Sequence, residues 1–212
     1  PMYLRSRVAA KEIHDFNPNA KIIAIFRDPV SYLYSSYWQG KRAGRDKSRN
    51  FKEHITSKNS NYAKKVNYAE ELERYLRIFP SRQIKILLFE EFKKDNIGTV
   101  KELFDFLEVD TNFRPNIGKH NTKRDMRGGA RVHKLIAWCI TASENTSPWL
   151  YMKLRRILRK FLLKRVDDEM DAALRKKLMV EFKEEVKKLN DLLHRYSLIN
   201  QDLVEIWGYD RI

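Results

Sequence analysis

Apolar residues in this chain fall into two short runs and several stripes of helical period, and the two kinds of pattern alternate. The runs are Lys21-Ile22-Ile23-Ala24-Ile25-Phe26 and Ile84-Lys85-Ile86-Leu87-Leu88-Phe89. Each is too brief for a helix and is bounded by turn residues, so buried strands are predicted over 21–26 and 84–89. Helices are predicted over about 5–16, closed by Asn17-Pro18, then over 29–42, 51–57, 62–79, 98–107, 131–143, 150–165 and 170–195. A short closing helix over 200–207 docks Trp207. Tyr68, Leu72, Tyr75, Leu76 and Phe79 form one stripe, and Leu174, Leu178, Phe182, Val186, Leu189 and Leu193 another. Strands alternating with amphipathic helices predict an α/β fold with a parallel sheet, although two strands alone make a thin one.

Two stretches lack this periodicity and concentrate positive charge. Residues 40–50 carry Lys41, Arg42, Arg45, Lys47 and Arg49 with Gly40 and Gly44, and are predicted to be a mobile loop. Residues 114–131 carry Lys119, His120, Asn121, Lys123, Arg124, Arg127, Gly128, Gly129 and Arg131 ahead of a predicted helix. Gly128-Gly129 permits close backbone approach, and a basic loop entering a helix is a natural anion site. A solvated basic loop is the other reading.

Composition bounds the picture more loosely. The 212 residues suit one domain over 1–212, and 42% hydrophobic content supports a folded core. A net charge of +15 predicts attraction to anions, which a nucleotide, an acidic glycan, nucleic acid or an anionic membrane would all satisfy. Cys139 is the single cysteine, so no internal disulfide can form, and its apolar surroundings predict a buried thiol. That usage fits a reducing compartment, and a soluble cytoplasmic chain is expected, since no apolar run is long enough for a membrane span. The five histidines are scattered without ligand spacing, so no metal site is expected. Asn145-Thr146-Ser147 fits a glycosylation acceptor but is followed by Pro148 and reads as accidental.

The junction after the first strand carries the most chemistry. Arg27 stands at its carboxyl end, where open α/β sheets bind ligands, and its planar fork of donors suits a phosphate. Pro29 fixes its own φ and is accepted in a first helical turn, so 28–31 reads as a helix start. Ser35 and Ser36 follow one to two turns later. A Ser35 facing the side of Arg27 would bring a hydroxyl and a guanidinium onto one anion. The spacing leaves a second reading open, in which Arg27 pairs with an acidic neighbour and both serines pack as small residues.

Arg27-Asp28-Pro29, with Ser35 eight residues after the arginine and Tyr37 beyond it, resembles the 3′-phosphate-binding motif of sulfotransferases that use 3′-phosphoadenosine 5′-phosphosulfate (PAPS). Pro1-Met2-Tyr3-Leu4 and Asn17-Pro18-Asn19-Ala20-Lys21 are similar to that family's approach to this strand. Tyr68 to Leu76, Phe79-Pro80, the run Ile84 to Phe92, Val100 to Leu107 and the closing Trp207 extend the likeness over most of the chain. The resemblance implies a P-loop-NTPase-like parallel sheet flanked by helices, with a helix-rich C-terminal part. It also implies that Arg27 and Ser35 hold the nucleotide 3′-phosphate, helped by Lys123, Arg124 and Arg127 from a loop over the phosphate and adenine. The reaction implied is sulfuryl transfer from PAPS to a hydroxyl or amine, without a metal.

The sequence departs from the family pattern at its start. A strand, a Gly- and Lys-containing phosphosulfate loop and a helix open the family's domain, and the glycines at 40, 44, 98, 118, 128, 129 and 208 form no such loop. An N-terminally incomplete domain is therefore expected, with its catalytic groups unassigned. Glu90-Glu91 could suggest a base but is expected rather to cap or neutralise the following helix, and His120 is the one histidine inside a candidate loop. The acceptor is undecoded, with the basic 40–50 loop pointing to an acidic one such as a glycan. A noncatalytic basic module is the alternative, touching nucleic acid or an anionic membrane through its loops and the stripe Leu150, Leu154, Ile157, Leu158, Phe161 and Leu162 in 150–165. No nucleic-acid-binding signature supports the nucleic-acid form of it.

Overall fold

β1 (Ile22–Phe26) and β2 (Ile84–Leu88) lie side by side and parallel, in a register from Ile22 opposite Ile84 to Phe26 opposite Leu88. The two predicted strands are therefore partners, as a parallel pair joined by a long crossover must be. Ala24 and Phe26 bury one face of β1 together with Ile86 and Leu88. The unbroken apolar run predicted a strand covered on both faces, but among the described residues Ile23 and Ile25 are 38% and 50% exposed. In the computed structural model the described residues are 2–42, 45, 46, 48–57, 66–113, 124–126, 163–165 and 169–212.

Two compact units are formed, one of Pro1–Leu33, Asn61–Gly118 and Asp171–Ile212, the other of Tyr34–Ser60 and Lys119–Met170. The first unit holds the β1–β2 pair. It opens on α1 (Met2–Arg5) and α2 (Ala9–Phe16), where one helix over 5–16 was expected. Ser6 makes the break, its Oγ accepting from the amides of Ala9 at 3.1 Å and Val8 at 3.3 Å, a local side-chain bond that competes with helix continuation. From β1 the chain enters α3 (Pro29–Arg42), which begins where Pro29 predicts and carries the chain into the second unit, toward α4 (Phe51–Thr56).

The chain re-enters the first unit in α5 (Tyr68–Leu76), whose Tyr68, Leu72, Tyr75 and Leu76 are buried with Phe79 just beyond, as the stripe predicts. Residues 58–65, at the start of the helix predicted over 62–79, lie outside the described residues. After β2 the expected strand stops one residue early, and α6 (Phe89–Lys94) begins with Glu90 and Glu91 in its first turn. Acidic side chains there complement the positive end of the helix dipole. Asp95, rather than Glu90 or Glu91, caps α7 (Asn96–Leu107), its Oδ1 accepting from Gly98 N at 2.8 Å.

In the second unit, Tyr34 and Tyr37 of α3 pack against Phe51 of α4 and against Trp38 of their own helix, with ring centroids 5.1 to 6.4 Å apart. The described residues of 40–50 are held by polar contacts among themselves and with the helix that follows. Asp46 Oδ1 accepts from Ser48 N at 2.9 Å, Asp46 pairs with His54 Nδ1, and Lys41 Nζ donates to Ser48 O at 2.9 Å. Asn50 caps α4 through Glu53 N at 2.9 Å. Two short strands, β3 (Arg124–Met126) and β4 (Leu163–Arg165), pair antiparallel with Arg124 opposite Arg165. Both correct the sequence reading, which made 114–131 a loop and carried a helix through 165. Backbone pairing between distant segments overrides a local helical pattern there. The rest of the predicted helices over 131–143 and 150–165, with Cys139 and the apolar stripe of 150–162, lies outside the described residues.

α8 (Ala172–Arg195) closes the first unit against α5 and buries Leu178, Phe182, Val186, Leu189 and Leu193, with Leu174 half-buried in its first turn. Its Asn190 Oδ1 accepts from Leu203 N at 2.9 Å and so fixes α9 (Leu203–Ile206). Trp207 follows, buried as predicted, then Gly208 in the left-handed region at φ 74° and a single 3-10 turn, Tyr209–Arg211.

Candidate anion-binding site

The end of β1 separates two charged neighbours of opposite sign. Asp28 is 3% exposed, and its carboxylate closes the first turn of α3 by accepting from Val30 N at 3.3 Å, Ser31 N at 3.0 Å and Ser31 Oγ at 2.6 Å. This is an N-cap, which satisfies donors that a helix start otherwise leaves unpaired. Pro29 has no amide to offer and Tyr32 N is bonded to Asp28 O, so the first-turn amides of α3 are all used internally. Two further donors reach the same carboxylate from the far end of the chain. Tyr209 Oη lies 2.9 Å from Oδ1, and Arg175 Nη2 lies 3.3 Å from Oδ2. Burial, reinforced by the Asp28 charge, pushes the Tyr209 hydroxyl up, so it remains a protonated donor.

Arg27 is half-buried and makes the opposite kind of site. Because Phe26 stands opposite Leu88, the next residues of the two strands, Arg27 and Phe89, are neighbours, and the guanidinium lies 4.5 Å from the Phe89 ring centroid. Among the described residues it has no hydrogen-bond or ion-pair partner, and its Nε is buried without one. Burial lowers its pKa while the charges of Glu90 and Asp28 resist the change. A desolvated guanidinium without a partner is costly, and an anion presented to its fork would remove that cost.

The acidic groups around it are already engaged. Glu90 Oε2 accepts from Trp207 Nε1 at 3.0 Å, and Glu91 Oε1 accepts from Gln201 Nε2 at 2.6 Å. The alternative in which Arg27 pairs with an acidic neighbour is therefore not the arrangement adopted; Asp28 pairs with Arg175 instead.

A family model described as a sulfotransferase domain matches residues 10–190. This chain belongs to the sulfotransferase domain family. Its fold is similar to that of a sulfotransferase from Alicyclobacillus acidocaldarius solved by crystallography, with a TM-score of 0.64 at 23% sequence identity. The match covers 97% of this chain and 64% of that one, so the chain spans less than two thirds of its structural neighbour. No curated protein matches it. The architecture is accordingly the α/β, P-loop-NTPase-like one, a parallel pair flanked by helices with a helix-rich C-terminal part.

Within this sulfotransferase domain the sequence-predicted site residues are distributed unevenly. Arg27 stands in the first unit at the end of β1. Ser35 is on α3, one turn beyond Ser31 and in the second unit, half-buried, and its hydroxyl has no hydrogen bond among the described residues. Arg124 contributes backbone to β3, while its side chain, Lys123, Arg127 and His120 lie outside the described residues. Sequence reasoning missed Asp28, Phe89, Glu90, Arg175 and Tyr209 as parts of the site. Trp207 and Tyr209 also lie beyond the 10–190 span of the family match. Among the described residues no three His, Cys, Asp or Glu side chains gather as metal ligands, and no helix is long and apolar enough to cross a membrane.

Proposed function

We propose that this chain serves the transfer of a sulfuryl group from PAPS to a hydroxyl or amine acceptor, with Arg27 gripping the 3′-phosphate of the nucleotide. The observation that carries the reading is the unpartnered, half-buried Arg27 guanidinium at the carboxyl end of β1. Its stacking on Phe89 leaves the donor edge of the fork for two parallel hydrogen bonds to phosphate oxygens, which a lysine could not reproduce. Ser35 is proposed to add a hydroxyl to the same phosphate, and Lys123, Arg124 and Arg127 to add cations from their loop. In the reaction the bond between sulfur and the bridging oxygen of the nucleotide breaks as the acceptor oxygen or nitrogen bonds to sulfur. Negative charge grows on the departing 5′-phosphate, so fixed cationic donors around the nucleotide favour the transition state. Arg27 anchors and orients; the groups that act at sulfur and take the acceptor proton are unassigned.

An acidic acceptor such as a glycan suits the basic 40–50 segment, where Arg45 is exposed while Lys41 and Arg49 are engaged internally. The single cysteine supports a reducing, cytoplasmic setting. Titrating adenosine 3′,5′-bisphosphate into the chain by calorimetry tests the reading. Saturable binding that Arg27→Ala and Ser35→Ala each weaken is expected. Binding indifferent to both substitutions would overturn it, and binding of nucleic acid that falls steeply with salt and ignores the nucleotide would favour a noncatalytic basic module.

A further inference from the structure

We propose that the C-terminal segment 201–209 keeps Arg27 available to its anion by occupying the carboxylates that would otherwise capture it, which makes Trp207 and Tyr209 positioning residues of the phosphate site. The inference rests on the proposed function, since it takes Arg27 as the anion-holding group. Two carboxylates, Asp28 and Glu90, act on the guanidinium at the carboxyl ends of the parallel strands, and Glu91 is next in sequence to the second. Asp28 follows Arg27 in the chain, and Glu90 and Glu91 follow Phe89, the ring on which Arg27 rests. Each takes a donor from the same short segment: Asp28 from Tyr209, Glu90 from Trp207 and Glu91 from Gln201. Arg175 adds a cation to Asp28.

Trp207 and Tyr209 are buried, so their donors are held in place by packing and face little competition from water. Gly208, between them, is left-handed and turns the chain so that one donor reaches the end of β1 while the other reaches the residues after β2. Without these donors Glu90 would be a half-buried carboxylate short of a partner, and Oδ1 of Asp28 would keep only Val30 N at 3.3 Å, both beside an unpaired arginine. Capture of Arg27 would then satisfy both and close the fork to phosphate.

A rescue experiment separates this role from simple structural support. Calorimetric titration of adenosine 3′,5′-bisphosphate is run on the wild type, Trp207→Phe, Glu90→Gln and the double variant, with thermal unfolding of each. Trp207→Phe is expected to weaken binding by roughly tenfold, within the usual range of coupling between contacting residues. Adding Glu90→Gln removes the competing charge and is expected to return affinity to within about twofold of Glu90→Gln alone. Tyr209→Phe with Asp28→Asn forms a second cycle with the same expectation and changes only a hydroxyl and a charge. A double variant as weak as Trp207→Phe, or a Trp207→Phe with full affinity, overturns the inference, and the same outcomes in the second cycle overturn it for Asp28. Arg27-dependent binding without rescue sinks this inference alone, whereas wild-type binding that is absent or indifferent to Arg27→Ala sinks it together with the proposed function.

Discussion

The Tyr209 hydroxyl donates to Oδ1 of Asp28 at 2.9 Å, joining two residues 181 positions apart. The bond links the last turn of the first unit to the start of α3, and Arg175 of α8 reaches the other oxygen of the same carboxylate. A helix cap that depends on side chains from three parts of the chain is more than a local turn device. Its loss is felt both in stability and at Arg27, the adjoining residue.

Tyr209→Phe is expected to lower stability by about 1.5–3 kcal/mol, the usual worth of a hydrogen bond to a charged group, because the carboxylate stays buried when the hydroxyl goes. Ser31→Ala, which removes one of two Ser31 donors to the same oxygen, should cost about 1 kcal/mol. Urea denaturation of the two variants beside the wild type gives both numbers, and equal losses would contradict this account.

Arg27→Ala is expected to abolish discrimination between adenosine 3′,5′-bisphosphate and adenosine 5′-monophosphate. A charged hydrogen-bonded contact worth about 1.5–3 kcal/mol corresponds to roughly 10- to 150-fold in the affinity ratio. Arg27→Lys should recover little of it, since an ammonium lacks both the fork and the flat face that rests on Phe89. Competition binding with the two nucleotides reads the ratio directly, and an unchanged ratio in Arg27→Ala would place the 3′-phosphate elsewhere.

The parts of this site that are near in sequence are the parts that sequence reading reaches. Arg27, the helix start at Pro29 and the pairing of two apolar runs are carried by short patterns, each with a local physical cause. The occupancy of Asp28 is not local: nothing near residue 28 signals a hydroxyl at 209 or a guanidinium at 175. Phe89 suits the last position of a strand as well as the first of a helix, because apolar side chains fit either state, although Glu90-Glu91 is a first-turn signal for the helix it begins. Residues 163–165 mislead for the opposite reason, an amphipathic helical stripe whose end pairs with 124–126.

Glu71 gives the first unit a pH-dependent stability. It is buried 3.6 Å from Arg5 Nε, and its Oε2 has no hydrogen-bond partner. Burial pushes its carboxyl up, with Arg5 and Arg74 opposing. The folded chain therefore holds this proton more tightly than the unfolded chain does. Stability from this group is greatest below the ordinary glutamate range and falls as pH rises through the raised folded value. In denaturation series from pH 4 to 7, Glu71→Gln should lack that decline, so that its stability relative to wild type increases with pH. A difference that stays flat would mean that burial does not penalise the carboxylate.

β1 should respond differently on its two faces. Phe26→Ala empties a fully buried site and is expected to cost about 3–5 kcal/mol. Ile25→Thr changes a half-exposed position and should stay within about 0.5 kcal/mol. Chemical denaturation of the pair tests whether the outer face of β1 contributes to the stability of this chain, and a large loss in Ile25→Thr would show that something covers it.

Gly208 has nothing within 4 Å of the place where a Cβ would stand, yet its φ of 74° is one that L side chains rarely adopt. A methyl group there would meet no steric obstacle and would still strain the chain, because the objection is to handedness rather than to volume. Trp207 and Tyr209 aim their donors from either side of that residue. The polar surroundings of an arginine at the end of β1 thus hang on the stereochemistry of a residue that carries neither charge nor side chain.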